Sequence, residues 1–369
     1  MKYVCKRLAA AVMVLICLAA MLAIPASAKT DLPTVISQAK EGVVKLFVVG
    51  FSPDDTPAAA AVGSGFAVGQ KGSTPEYFVT NWHVASAYLS EYNYAFDSDH
   101  VRIWIMLDNF ALSDVTGLPS EATSVECSIV RISESGYPDY AILKAARPVT
   151  ECKPLAIRSS ESVKQGETVV ALGCPAVVDD LSATVGSNDI TATRGTVARH
   201  MVMSAAGNTN VLLHDAVISG GNSGGPLINA CGQVVGINTI KMSSDYSNVE
   251  GLGFAIPSAS IRRLVNDLLT YGEVRPEPSF GVTVLQTGTR LEDDIWGLQV
   301  LEVTPGSAAD LAGIREGDFV LAAGGRPVET SQELLRIRRQ LYVGDQVTME
   351  IWRDGERMEV TLTLNDPVE

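Results

Sequence analysis

The chain has 369 residues, too many for one hydrophobic core, so two or three domains are expected. Apolar residues make up 46% and charged residues 19%, a balance that excludes an intrinsically disordered chain. The formal net charge is −14, and no basic patch interleaves with aromatics, which argues against nonspecific binding to nucleic acid or anionic membranes.

The first element reads as an export signal over residues 1–28. MKYVCKR is basic, LAAAVMVLICLAAMLAI is apolar, and PASAKT supplies a helix breaker with small residues at Ala26 and Ala28. Cleavage after Ala28 is the preferred reading. An uncleaved membrane anchor is the alternative, because the apolar run is near the lower limit for spanning. Cleavage takes Lys2, Lys6 and Arg7 away and moves the net charge to about −17. Four cysteines then remain, Cys127, Cys152, Cys174 and Cys231. An even number in an exported chain permits two disulfides. Cys127–Cys152 is the preferred pair because both flank one predicted hairpin region, with free buried thiols as the alternative. Their wide separation does not suit a metal site, and no H-E-x-x-H motif occurs. Neither metal nor cofactor is expected.

DLPTVISQAKEGVVKLFVVG opens with a short amphipathic helix and passes into a β-branched strand. From there to Pro257 short strands alternate with Gly, Asn, Asp and Pro, among them GSGFAVG, EYFVTNWHV, VRIWIML, SIVRIS, YAILKA, TVVALG, NVLLHDAVI, QVVGINTI and GLGFAIP. Regular short strands over about 220 residues predict two β-barrels or sandwiches, with a seam near Ala146 to Pro154. PSASIRRLVNDLLTYG is a helix with apolar residues at Ile261, Leu264, Val265, Leu268 and Leu269; Ser258 or Ser260 can cap it, and Gly272 ends it. EVRPEPS is a linker. A separate mixed α and β module of roughly ninety residues follows from about Ser279.

The stretch SGGNSGGPLINACGQVVGIN sets Ser223 among Gly220, Gly221, Gly224 and Gly225. An ordinary turn needs one or two glycines; four around a hydroxyl suggest close backbone approach with bare N–H groups. Serine is a poor nucleophile unless a base takes its proton. Of four histidines, His83 in FVTNWHVAS stands where a strand runs into a helical turn, a usual place to present a side chain. His100, His200 and His214 read as surface or packing residues. A base needs a carboxylate to hold its tautomer. Asp139 in GYPDYAILK leads into an apolar strand, where an unpaired charge is costly; Asp215 in LLHDAVI is its rival. Backbone amides of Gly221 and Ser223 can supply two donors for an oxyanion.

TNWHV, PDYAILK, GNSGGPL and GLGFAIP, in that order and supported by VKQGETVVALGCP and GQVVGINT, resemble the HtrA (Deg) family of exported, chymotrypsin-fold serine proteases with a C-terminal PDZ domain. The resemblance covers about residues 33 to 364. The order His83, Asp139, Ser223 is that of chymotrypsin-like enzymes. The resemblance implies a mainly β fold: two six-stranded barrels, a trypsin-like serine protease, followed by an α+β PDZ domain. The expected division is a signal peptide (1–28), an N-terminal barrel (29–150), a C-terminal barrel with closing helix (151–272), a linker (273–279) and the PDZ domain (280–366). It implies Ser223 as nucleophile, His83 as general base, Asp139 as the orienting carboxylate and Gly221 with Ser223 as the oxyanion hole. Asp215 matches a family aspartate outside the triad. Ile218, Ile237 and Thr239 fall where the family walls its first specificity pocket, which would favour Val, Ala or Ile before the cut. Ser279, Phe280, Gly281 and Val282 match the PDZ loop that captures a terminal carboxylate.

What the resemblance implies, then, is an exported endopeptidase, periplasmic or at the cell surface, acting on unfolded or misfolded proteins. C-terminal peptides would bind its PDZ domain, and the assembly would be a homotrimer or a multiple of it through the segment near Pro33 to Phe47. The alternative is a non-catalytic or conditionally inactive peptide-binding holdase. The sequence departs from the family in several places. His83 and Asp139 stand far apart, with insertions AYLSEYNYAFDSDH and LSDVTGLPSEAT between them. Trp82 replaces a usually small or polar neighbour, and Ser219-Gly220 replaces the common Asn-Pro, removing a rigid residue from the oxyanion loop.

Overall fold

The computed structural model describes residues 31–88, 95–107, 118–133, 136–174, 190–203, 209–239, 251–292 and 295–367. The export segment lies outside them, as do parts of both insertions.

Helix α1 (Leu32–Lys40) has Pro33 in its first turn, where a missing N–H costs nothing. Six strands follow: β1 (Val43–Phe51), β2 (Pro57–Val68), β3 (Tyr77–Thr80), β4 (Val101–Met106), β5 (Ser124–Ile132) and β6 (Ala141–Ala145). They close into an antiparallel barrel in the order β1-β2-β3-β6-β5-β4. A second closed barrel, β10-β11-β12-β9-β8-β7, is built from β7 (Thr168–Gly173), β8 (Thr191–Met203), β9 (Thr209–His214), β10 (Pro226–Asn229), β11 (Val234–Thr239) and β12 (Gly253–Pro257). Closure removes the unpaired sheet edges that would otherwise invite aggregation.

Helix α2 (Trp82–Ala85) is a single turn after β3. Helix α3 (Ala259–Tyr271) packs Ile261, Leu264, Val265 and Leu268 inward and ends at Gly272, whose φ of 77° lies in the left-handed region. Its start corrects the sequence expectation. Ser258 holds the cap position, but its hydroxyl donates to the Arg158 carbonyl. The free Ala259 amide is instead accepted by Ser160 Oγ at 3.1 Å. A cap supplied from 99 residues away is invisible to local pattern reading.

One apolar cluster crosses the seam between the barrels. It joins Phe66, Val79 and Ile142 of the first to Val170, Leu172 and Ile228 of the second, with Ile261 and Leu264 of α3 against them. This shared core holds the loops at the seam in register.

The C-terminal module has its own core around Leu298, Val320, Met349 and Leu362. Its main sheet runs β13 (Val282–Val284), β15 (Ile295–Val303), β16 (Phe319–Ala323), β18 (Gln346–Arg353) and β19 (Glu356–Thr363). Short β14 (Thr289–Glu292) pairs with β15 and β17 (Arg326–Pro327) with β16. Helix α4 (Ala308–Leu311) is capped by Ser307. Helix α5 (Ser331–Arg338) begins with a capping box between Thr330 and Glu333.

None of the four cysteines is in a disulfide, which corrects the expected Cys127–Cys152 pair. Both side chains belong to the first barrel's core, and their thiols donate to the carbonyls of Val125 and Val149 at 3.7 Å. Burial pushes each thiol up to about 12, and a thiol that does not ionise does not enter exchange. Cys174 is also buried, whereas Cys231 is exposed. A thiol alkylating reagent is therefore expected to modify Cys231 in the native protein and Cys127 and Cys152 only after unfolding, read by peptide mass mapping. A Cys127–Cys152 pair that resists alkylation in denaturant until reductant is added would contradict this.

Candidate functional site

The site forms where two distant segments meet a buried carboxylate. Asp139, in the loop before β6, is 2% exposed. Its Oδ1 accepts the His83 amide at 3.0 Å, and Oδ2 accepts the His83 ring Nδ1 at 2.8 Å and the Thr239 hydroxyl at 2.7 Å. Burial pushes the carboxyl up. The charge of the His83 ring and the hydrogen bonds from His83 and Thr239 more than offset it, so the net shift is below the ordinary carboxylate value. Asp139 is therefore ionised at neutral pH. An ionised carboxylate only accepts, so His83 Nδ1 is the donor to Asp139, and in the neutral ring Nε2 is then the nitrogen with the lone pair. The ring is 17% exposed.

Local sequence explains the placement of His83. Strand β3 stops at Thr80, Asn81 is extended, and α2 turns at once. Asn81 uses its side-chain amide on the Asp139 carbonyl at 2.7 Å, tying the start of the turn to the Asp139 loop. Trp82, the unusual neighbour, packs its ring beside Gly136, where an added Cβ would lie 3.1 Å from it. It braces the same loop.

Ser223 lies between β9 and β10 in two overlapping turns. Asn222 N–H donates to the Ser219 carbonyl and Gly225 N–H to the Asn222 carbonyl, each at 3.0 Å. Gly221 and Gly224 take φ of 97° and 86° at the third positions, as type II turns demand. The glycines then have separate reasons. A Cβ on Gly224 would lie 2.1 Å from the Ser64 carbonyl oxygen, and one on Gly225 would lie 2.1 Å from that of Leu172. Gly220 has open space around it. Among the described residues the amides of Gly221 and Ser223 donate to no acceptor, so two bare N–H groups flank the serine.

A residue that sequence reasoning missed anchors this loop. Ser64, fully buried, accepts the Cys174 amide at 2.8 Å and donates to the Gly221 carbonyl at 2.6 Å. Its own amide bonds the Ser223 carbonyl at 2.8 Å. Asn238 adds backbone bonds to Gly224 and Gly225. The Ser223 loop of the second barrel is thereby fastened to the first. Val84, next to His83, and the Ser223 carbonyl both come up against Gly63, 2.6 and 3.4 Å from a Cβ placed there. His83 and Ser223 thus share the seam. Among the described residues the Ser223 hydroxyl makes no hydrogen bond, and such bonds often tighten only when substrate is present.

The other candidates separate. Asp215 is exposed and holds the Thr196 amide and hydroxyl, not His83. His100 is half-buried beside Asp99 at 3.2 Å; with Asp97 these form the one group of three possible metal ligands among the described residues. His200 Nε2 meets the Val163 carbonyl at 2.9 Å. Of the expected pocket wall, Ile218 is half-buried beside Gly253, Ile237 is fully buried in the seam core, and Thr239 has turned its hydroxyl to Asp139. In the C-terminal module, Gly281 has φ of 76° and its amide is held by Ser279 Oγ at 3.0 Å. Phe280 is buried, and Val282 begins β13, a terminal strand of the sheet.

His214 is fully buried, with neither ring nitrogen hydrogen-bonded. Burial lowers its pKa to about 4, against the raising effect of the Ala216 and Phe254 carbonyls. The unfolded chain takes up this proton near pH 6.5 and the folded chain only near 4. Its stabilising contribution is therefore complete above pH 6.5 and lost as the pH falls to 4. The loss is on the order of 3 kcal/mol. Urea unfolding across this window should show a shallower decline for His214→Gln than for wild type; equal slopes would contradict it.

Comparisons with known proteins follow the same division. The trypsin-like peptidase domain family matches residues 63–237, and the PDZ domain family matches 278–364. The serine protease Do-like HtrA of Lactobacillus helveticus is 31% identical over 314 residues, 82% of this chain and 68% of that protein. Its namesake from Bacillus subtilis (strain 168) is 31% identical over 290 residues, 74% of this chain and 63% of the relative. The chain thus spans less than two thirds of that relative. Among solved structures, the HtrA-type protease AlgW with decapeptide matches with TM-score 0.59 at 20% identity, covering 92% of this chain and 100% of that one. The serine endoprotease from Yersinia pestis matches with TM-score 0.54 at 24% identity, covering 92% and 99%. At these identities the structures show a common fold.

Proposed function

The chain belongs to the HtrA (Deg) family, a trypsin-like peptidase domain followed by a PDZ domain, and on that premise we propose that it is a serine endopeptidase. The observation that carries the proposal is the sealed Asp139 carboxylate bonded to both the amide and the ring of His83. Such a carboxylate fixes the tautomer that a base needs and stabilises the imidazolium formed when the base acts.

In the proposed reaction Ser223 Oγ attacks a peptide carbonyl while His83 Nε2 takes its proton. The negative oxygen is met by the N–H groups of Gly221 and Ser223, which have no other partner among the described residues. Collapse breaks the C–N bond, and His83 returns the proton to the leaving amine. Water then attacks the acyl-enzyme with His83 again as base, and Ser223 is released. Thr239, read from the sequence as a pocket wall, acts here as a positioning residue through Asp139. Ile218 beside Gly253 is left as the wall of a small apolar pocket.

The substrates proposed are unfolded or misfolded proteins. The PDZ domain would take exposed C-termini along the open side of β13, where an added strand can pair, with the carboxylate at the Ser279–Val282 loop. An exported location follows from the signal pattern of residues 1–28, and relatives with periplasmic names point the same way. Family resemblance carries the homotrimer, or a multiple of it, into the same reading.

Casein hydrolysis by wild type and by Ser223→Ala tests the proposal. Turnover is expected to fall by about 10⁶, and a serine-directed organophosphonate should label wild type alone. Equal hydrolysis by both proteins, or no labelling of wild type even with saturating C-terminal peptide, would overturn it in favour of a non-catalytic holdase.

A further inference from the structure

Strand β9 ends at His214, a polar ring that the molecule hides completely. It is fully buried, and among the described residues neither ring nitrogen has a hydrogen-bond partner. Such burial costs free energy and returns no bond, so what the position uses is the volume of the ring. His214 stands between Val197 of β8 and Gly253 of β12 in the second barrel. The ring leans over the glycine. A Cβ on Gly253 would lie 2.5 Å from His214 Cε1 and 2.8 Å from Ile218 Cγ1, the kind of close approach that a strand glycine marks. Ring and isoleucine thus share the space that a side chain at Gly253 would take, and Ile218 packs against the apolar cluster of Leu212, Ala216 and Ala255.

The backbone that carries Ile218 is fastened on both sides. Asp215 accepts the Thr196 amide, and the Val217 carbonyl accepts the Thr193 hydroxyl at 2.7 Å. The Ser219 carbonyl accepts the Asn222 amide at 3.0 Å, a bond that belongs to the first turn of the Ser223 loop. With its backbone held, Ile218 can retreat only as far as the ring beside it permits. Ile218 is half-buried, whereas His214 is sealed off. A substrate side chain would therefore meet Ile218 and never the ring.

We propose that His214 is a positioning residue for specificity: by filling the space over Gly253 it props Ile218 forward and limits the pocket beside Ser223 to short apolar side chains. The inference rests on the peptidase reading and names what that pocket selects, the residue before the scissile bond. Alanine and valine fit a shallow pocket. Leucine, methionine and phenylalanine need the depth that the ring occupies. One methylene in an apolar pocket is worth roughly tenfold or more in kcat/KM, so the ring can decide between these groups without touching them. Interiors are close-packed, so a smaller residue at this position leaves a void into which Ile218 can withdraw.

The test is hydrolysis by the full chain of matched peptides that differ only in the residue before the cut, Ala, Val, Leu, Met or Phe, with the cleavage point read by mass spectrometry. For wild type, kcat/KM is expected to be about tenfold or more higher with Val than with Leu, Met or Phe. His214→Ala should move that ratio toward Leu and Met by about tenfold or more. His214→Val should move it by an intermediate amount and serves if the alanine variant does not fold. His214→Gln, which fills a similar volume, should keep the wild-type ratio. A role confined to stability would instead lower activity on every peptide alike. An unchanged ratio in a folded Ala or Val variant, the same shift in the Gln variant, or a wild type that already prefers Leu, Met or Phe would overturn the inference and leave the peptidase reading standing. No hydrolysis of any peptide or of casein by wild type would overturn both.

Discussion

The structure turns on one buried negative charge. Asp139 is sealed from water at the meeting of two barrels, and a carboxylate there is tolerable only if its oxygens are occupied. Its partners come from α2 in the first barrel and from the end of β11 in the second. The two barrels must therefore dock in one relative placement for the charge to be met. The apolar cluster across the seam supplies the attraction, and the carboxylate supplies the register. The same bonds that stabilise the charge make His83 Nδ1 a donor and direct the lone pair of the neutral ring to Nε2, so the requirement of folding and that of the proposed base role coincide.

The Ser223 loop answers to a second constraint. In the proposed reaction its amides must stay unpaired to serve an oxyanion, yet unpaired backbone is mobile unless something else holds it. Ser64 resolves this by bonding the carbonyls of Gly221 and Ser223 instead of their amides. The close contacts at Gly224 and Gly225 pin the downstream half, whereas Gly220 stands in open space. Rigidity is thus uneven along the loop, with the least-held residue immediately before the Gly221 amide.

Much of the architecture was legible because barrel strands are short, β-rich and punctuated by turn residues, and because α3 carries its apolar residues at helical spacing. Asp139 stood out because it opens an apolar strand, and the glycines stood out by number. What escaped depends on contacts between distant residues. Thr239, placed by the resemblance in a pocket wall, is seen as a partner of Asp139, 100 positions away, only once β11 lies beside it. Ser64 reads as one more small residue of a strand until β2 lies against the Ser223 loop across the seam. The cap on α3 comes from Ser160, not from either local serine. The thiols of Cys127 and Cys152 look pairable from their place in the chain, but each is spent on a carbonyl of its own segment. His214 sits at an alternating strand position that gives no hint of complete burial.

The most direct test of the central claim is the turnover of an unfolded protein substrate by Asp139→Asn. An amide at this position fills the same space, but its N–H group faces His83 Nδ1. That reverses the ring tautomer and puts the hydrogen on Nε2, where a lone pair is needed. With the fold intact by circular dichroism, kcat should fall by about 10⁴. A folded variant that turns over at the wild-type rate would contradict the account.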